Sequence, residues 1–72
     1  MKFVIEMRLL DPQRTSTYWY AGTATDGPSW VIDRRDAETL TCKNADALIE
    51  RLHALVRTQG HYEISFHRQA VD

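Results

Sequence analysis

The alternation of apolar and polar residues predicts two long strands at the start of the chain. From Lys2 to Leu10 every second residue is apolar, which is the two-residue period of a strand with one apolar side. The segment from Thr15 to Thr23 is rich in β-formers and places Tyr18 and Tyr20 on the side opposite Trp19. Between the two segments, Asp11–Arg14 carries an Asp-Pro turn signal, so we expect the chain to reverse there.

Two shorter strands are predicted before the helix. A turn over residues 25–28 contains Gly27, which tolerates positive φ, and Trp30-Val31-Ile32 follows as a short third strand. Residues 33–36 form a charged corner. The segment from Glu38 to Cys42 is β-prone and short, so it is interpreted as a brief fourth strand at the edge of the sheet.

One amphipathic helix and a last strand complete the predicted elements. Asn44 is the predicted helix N-cap, residues 45–58 the helix, and Gly60 the residue that ends it. The helix should bury one stripe, made of Ala45, Leu48, Ile49, Leu52, Leu55 and Val56. The fifth strand is predicted from His61 to about Gln69, and residues after Ala70 are expected to fray.

These elements predict an α+β fold, an antiparallel four- to five-stranded sheet with one helix on one face. Short turns make the first four strands a meander, and the helix returns the last strand antiparallel beside the first, which gives the order 5-1-2-3-4. One helix covers only one face, so the other face is expected to be open. We expect Val4, Glu6, Arg8, Glu63, Ser65 and His67 on the open face. Either Trp19 or the pair Tyr18 and Tyr20 joins them, and Trp19 is favoured because two Tyr rings suit the helix side.

Size and composition indicate one small domain over residues 1–72. The chain is 43% hydrophobic and 26% charged, an ordinary globular balance. A core of this size commonly needs extra stabilisation, and self-association is the route left open because Cys42 is the single cysteine. The sequence shows no signal core and no run of about 18 apolar residues, so a reducing, cytoplasmic location without membrane contact is expected.

The charge pattern does not favour nucleic acid, although it leaves that partner class possible. The net charge is −1, from nine basic and ten acidic residues. Arg34 and Arg35 lie between Asp33 and Asp36, a pattern typical of a solvated corner with local charge compensation.

No residue pattern predicts catalysis, a cofactor or a metal. His61, Glu63 and His67 share a strand face, yet His61 and His67 would be about 20 Å apart along the strand, too far for one ion. Cys42 precedes the helix and could act as a nucleophile, but no suitably spaced His or Asp supports that role. A small buried hydrophobic residue is the plainer interpretation.

The aromatic residues of the second and third strands suggest a contact surface. A large ring on an open sheet face is a natural anchor for a protein partner or a second copy, and it can also stack bases. A buried core position is the alternative. The predicted partner-binding residues are Trp19 as anchor, with Arg8, Glu6, Arg34 and Arg35 setting partner choice. The leading hypothesis is a non-enzymatic protein-binding module, followed by a nucleic-acid-binding domain and then a subunit of a small homodimeric enzyme.

The whole-chain pattern also resembles a class of small proteins. Its elements are an apolar first strand, an aromatic pair in the second, a Trp in the third, and Ala-x-x-Leu at Ala37–Leu40 leading through Asn44 and Ala47 into the helix. This pattern resembles small α+β proteins of phages, prophages and mobile elements, some of which are inhibitors of host defence complexes such as anti-CRISPR proteins. The resemblance implies a protein-binding, inhibitor role and carries over no functional residue.

Overall fold

The computed structural model describes residues 1–10, 13–25, 27–57 and 63–71. Within these residues the chain forms an open antiparallel sheet of five strands and a single α-helix, the α+β fold that the sequence predicts. The elements in chain order are β1 (Lys2–Leu10), β2 (Thr15–Ala24), β3 (Gly27–Val31), a 3-10 helix (Arg34–Asp36), β4 (Leu40–Thr41), α1 (Cys42–Arg57) and β5 (Glu63–Val71). The predicted Asp11-Pro12 turn lies partly outside the described residues.

The first strand lies inside the sheet, as the predicted return of the last strand beside it requires. It pairs antiparallel with β2, β4 and β5. The register with β5 is continuous along all nine residues, from Lys2 opposite Val71 to Leu10 opposite Glu63. The expected fraying after Ala70 is wrong in this respect, because the pairing with Lys2 keeps Val71 within the strand.

The fourth strand lies beside β1, so the predicted order 5-1-2-3-4 is wrong about it. β2 pairs with β1 only as far as Trp19 opposite Glu6, and its register with β3 then shifts around Gly22, whose φ is 108°. Such a bulge bends a strand away from its neighbour. The two-residue strand β4 occupies the edge of β1 that β2 leaves unpaired, with Leu40 opposite Phe3.

The helix begins three residues earlier than the sequence predicts. Its cap is Thr41, whose Oγ1 accepts a hydrogen bond of 3.3 Å from the N–H of Asn44, so Asn44 lies inside the first turn. The predicted buried stripe faces the sheet except for Leu55, which is exposed. The predicted stop at Gly60 lies outside the described residues. No helix in the described part of the chain is long and apolar enough to cross a membrane.

The core lies between α1 and the sheet. Its buried members are Ile5, Tyr20, Ala45, Leu52 and Phe66. Trp30 contributes from β3, with ring centroids 5.9 Å from Tyr20 and 6.0 Å from Phe66. Burial of this apolar and aromatic surface is the main favourable term for a fold of this size.

The sheet face turned away from α1, called here the second face, is only partly open. Trp19 lies on it, as the sequence analysis favours, because it stands opposite Glu6 while its neighbour Tyr20 joins the core. Val4, Glu6 and Trp19 are nevertheless buried, so the expectation of a fully open face is wrong for this part. Arg8, Thr17 and His67 are exposed at its open end.

Candidate functional site

Local sequence at the charged corner positions an arginine over the second face. Asp33 caps the 3-10 helix by accepting a hydrogen bond of 3.0 Å from the backbone N–H of Arg35. This cap starts the short helix directly after β3. Val31, the last residue of β3, pairs with Trp19, so the 3-10 helix begins close to the Trp19 ring.

Trp19 and Arg34 form the centre of the candidate site. The Arg34 guanidinium carbon lies 5.6 Å from the Trp19 ring centroid, within the range of a cation–π contact. Its Nη2 also donates to the backbone carbonyl of Ala70 in β5 at 3.4 Å. Arg34 therefore reaches across the second face from the corner after β3 to the strand on the far side of β1.

Beside this stack, Glu6 carries a buried carboxylate. Only 6% of the residue is exposed. Arg8 Nε lies 2.8 Å from Glu6 Oε1, and the Gln69 side-chain amide donates to Oε2 at 3.4 Å. The Nε–H of Arg8 is poorly aligned, so Oε1 accepts no hydrogen bond of good geometry from the described residues. The neighbouring cation compensates the charge electrostatically, as a buried carboxylate requires.

Arg35 lies at the rim and is bound to its own corner. Its Nη2 is 2.9 Å from Asp33 Oδ2, and the Arg35 side chain is 89% exposed. The side-chain hydrogen bonds from Arg35, followed by the one from its backbone N–H, lower the pKa of Asp33 below the usual 3.8. This pair keeps the corner charged and wet over the physiological range of pH.

The structure brings together four of the five predicted site residues. Trp19, Glu6, Arg8 and Arg34 adjoin one another on the second face, and Arg35 stands at its edge. The expectation that the Trp19 ring is exposed is wrong, since only 9% of the residue is exposed, and the alternative of a buried position is the one observed. Its role as an anchor for a partner stays a prediction. Its ring is a platform on which Arg34 rests.

Ile32 is a candidate contact residue that sequence reasoning missed. It is 82% exposed, although the pattern predicts it as the last residue of the third strand. β3 ends at Val31, and the chain turns into the Asp33 cap immediately afterwards. An apolar residue directly before a capping Asp was the available signal, because the cap ends the strand one residue early. Ile32 thereby adds exposed apolar area to a charged corner.

A second polar cluster joins the start of α1 to β5. Arg68 Nη1 lies 2.8 Å from both Cys42 Sγ and Asp46 Oδ1, and the Arg68 guanidinium also covers the Phe3 ring at 5.0 Å. Cys42 is exposed, so its interpretation as a buried hydrophobic residue is wrong. Residues capable of holding a metal ion form no group of three in the described ranges. The thiol has a cation and a carboxylate beside it, and this arrangement ties α1 to β5.

One open depression lies near the start of β1. It has a volume of about 570 Å³ and is lined by Met1, Lys2, Thr39 and Val71. In the described part of the chain this lining carries the ammonium group of Lys2 and the hydroxyl of Thr39.

Comparisons with protein-family models, with curated proteins and with solved structures find no match to this chain. The geometry of the second face is therefore the guide to what the chain binds.

Proposed function

We propose that this chain is a small non-enzymatic module that binds another protein through the second face and the corner beside it. The observation that supports the proposal is the stack of Arg34 on Trp19. The ring holds the guanidinium in place on the face that is turned away from α1. Trp and Arg are enriched among the residues that dominate binding energy, and an arginine ordered before binding loses less entropy on association.

The chemistry of the surface indicates the kind of partner. Arg34 lies at its centre, Arg8 and Arg35 lie at its border, and Ile32 supplies exposed apolar area at the corner. The complementary surface is a protein patch with carboxylates to face these arginines and an apolar residue to face Ile32, because opposite potentials set partner choice and orientation. An inhibitor encoded by a phage or mobile element is one concrete form of this proposal, supported by the resemblance of the sequence pattern.

The test is affinity capture from cells that naturally contain the chain, followed by binding measurements with the purified captured protein. The baits are the wild type, Arg34→Glu, Ile32→Ser and Arg51→Glu. Arg51 is an exposed arginine on α1, so its reversal matches the charge change of Arg34→Glu on the opposite side of the sheet. Circular dichroism confirms that each bait is folded.

We expect a captured protein whose affinity falls about tenfold or more with Arg34→Glu, as for a central interface arginine, and several-fold with Ile32→Ser. Arg51→Glu should bind like the wild type. The proposal is wrong if no protein distinguishes the wild type from Arg34→Glu, or if Arg51→Glu is the variant that loses binding.

A further inference from the structure

The two edges of the sheet are built differently. At the β3 edge the strand has five residues and begins with Gly27-Pro28, and its pairing with β2 contains a register shift between Tyr20 and Thr23. Proline and bulges are devices by which proteins prevent an edge from pairing with other chains. The β3 edge is therefore unsuited to pairing with a strand of another chain.

The β5 edge has none of these devices. Its nine residues, Glu63–Val71, contain no Pro, Gly or Lys, and their register with β1 has no shift. In the described part of the chain β5 pairs with β1 alone, so one row of its backbone N–H and C=O groups faces outward. A long, regular edge of this kind is a template for a further strand.

We infer that β5 pairs antiparallel with β5 of a second copy, so that two chains share one continuous sheet. A two-fold axis through His67 places each residue i opposite residue 134 − i, which pairs the whole strand with itself. Ser65 then faces Gln69 of the second copy, and Phe66 faces Arg68. Neither pair brings like charges together, and both are favourable cross-strand neighbours.

The position of α1 fits this arrangement. The helix contacts both β1 and β5, so its axis lies above the gap between them. Neighbouring strands are about 4.8 Å apart, and the two-fold axis would pass just outside β5. The axis of α1 therefore lies about one strand spacing from the two-fold axis. The helices of the two copies would then lie about 10 Å apart, which is the separation of packed helices.

Polar side chains on the helix flank are also self-complementary. Asp46 reaches Arg68 in β5, and the His53 ring lies 5.3 Å from that of Phe66, so both residues lie on the side of α1 above β5. The two-fold axis makes the helices antiparallel, which brings Asp46 of one copy toward His53 of the other. A second copy is therefore a better occupant of this edge than an unrelated peptide, because the chain itself carries both Asp46 and its partner His53.

The test uses the full chain without any partner. Sedimentation over a concentration series gives the oligomeric state, and hydrogen exchange resolved by residue gives the protection of β5 amides. In a monomer only the amides bonded to β1 are protected, which are alternate residues. In the dimer consecutive amides of β5 are protected, and the additional set loses protection on dilution.

The variant is His67→Glu, which places two carboxylates opposite each other on the axis. His67 stands opposite Glu6 within the chain, so circular dichroism first confirms that His67→Glu is folded. The control is Thr17→Glu, an exposed position on the same face in β2. We expect a dimer that His67→Glu weakens about fivefold or more and that Thr17→Glu leaves unchanged.

Three results would overturn this inference. They are a monomer at all concentrations, a dimer whose outer β5 amides exchange freely, and a dimer insensitive to His67→Glu, which would place the axis elsewhere. Sedimentation requires no captured protein, so this test can fail while the proposed binding role stands, and the reverse also holds.

Discussion

Trp19 shows how one side chain can close part of the sheet face that is turned away from α1. Its ring stands opposite Glu6 in β1 and Val31 in β3, and Arg34 covers its outer surface. A buried indole contributes through its apolar area, and the guanidinium adds a cation–π contact while its own charge stays partly in water. Most of the stabilisation should therefore come from the ring.

This division predicts unequal effects of two truncations. Trp19→Ala should cost about 3–5 kcal/mol, as for other buried Trp residues, whereas Arg34→Ala should cost about 0.5–1 kcal/mol. Circular dichroism shows which variants fold, and urea denaturation measures the stability of those that do. The core of a 72-residue chain contributes only about 3–5 kcal/mol to the free energy of unfolding, so Trp19→Ala should be largely unfolded. Trp19→Phe should lose less stability and remain folded enough to be measured. Wild-type stability in Trp19→Ala would mean that the ring lies in solvent.

At the scale of elements, the start of α1 is decided by tertiary pairing. Thr41 and Asn44 are both good capping residues, and local sequence alone favours the Asn directly before an apolar stripe. Leu40 pairs with Phe3 and Thr41 with Lys2, so the extended chain ends at Thr41 and the helix begins at once. The pairing partner is almost forty residues away in the chain, which is why the local pattern did not predict it.

The cap assignment leads to a mutational prediction. Thr41→Ala removes the acceptor of the Asn44 N–H and should destabilise the protein by about 1 kcal/mol. Thr41→Ser should retain most of the stability because the hydroxyl remains. Asn44→Ala, the matched control, should change stability by no more than about 0.5 kcal/mol, since this position is inside the helix. A larger loss from Asn44→Ala than from Thr41→Ala would restore Asn44 as the cap.

For the whole molecule, the sequence predicts what depends on period and local turns. The alternation in β1, the helical stripe and the return of β5 beside β1 follow from these features, and they are confirmed. The closed part of the second face does not follow from them. It depends on contacts between distant residues, such as Arg34 with Ala70 and Gln69 with Glu6. The predicted third strand is also one residue too long, because it includes Ile32. For this reason the sequence did not predict that the corner exposes the Ile32 side chain.

The distribution of charge over the molecule bears on nucleic acid, the alternative partner class. Arg8, Arg35 and Arg68 each lie within 2.9 Å of a carboxylate oxygen, and the net charge is −1. A phosphate would have to compete with a carboxylate already in place at each of these sites. Phosphate contacts release counterions, so true nucleic-acid binding weakens steeply as salt increases.

We therefore expect weak binding to single- and double-stranded oligonucleotides, with little dependence on salt. Fluorescence anisotropy over a salt series measures the slope of log K against log salt. Asp33→Asn is the internal control, because it frees Arg35 and should steepen the slope by at most about one unit if that arginine reaches a phosphate. A wild-type slope steeper than about −3 would show that the protein contacts several phosphates at once. The arginines of the second face and of β5 could make that many contacts only if their ion pairs with carboxylates broke. The second face would then be a nucleic-acid surface, and the protein-binding role would lose its support.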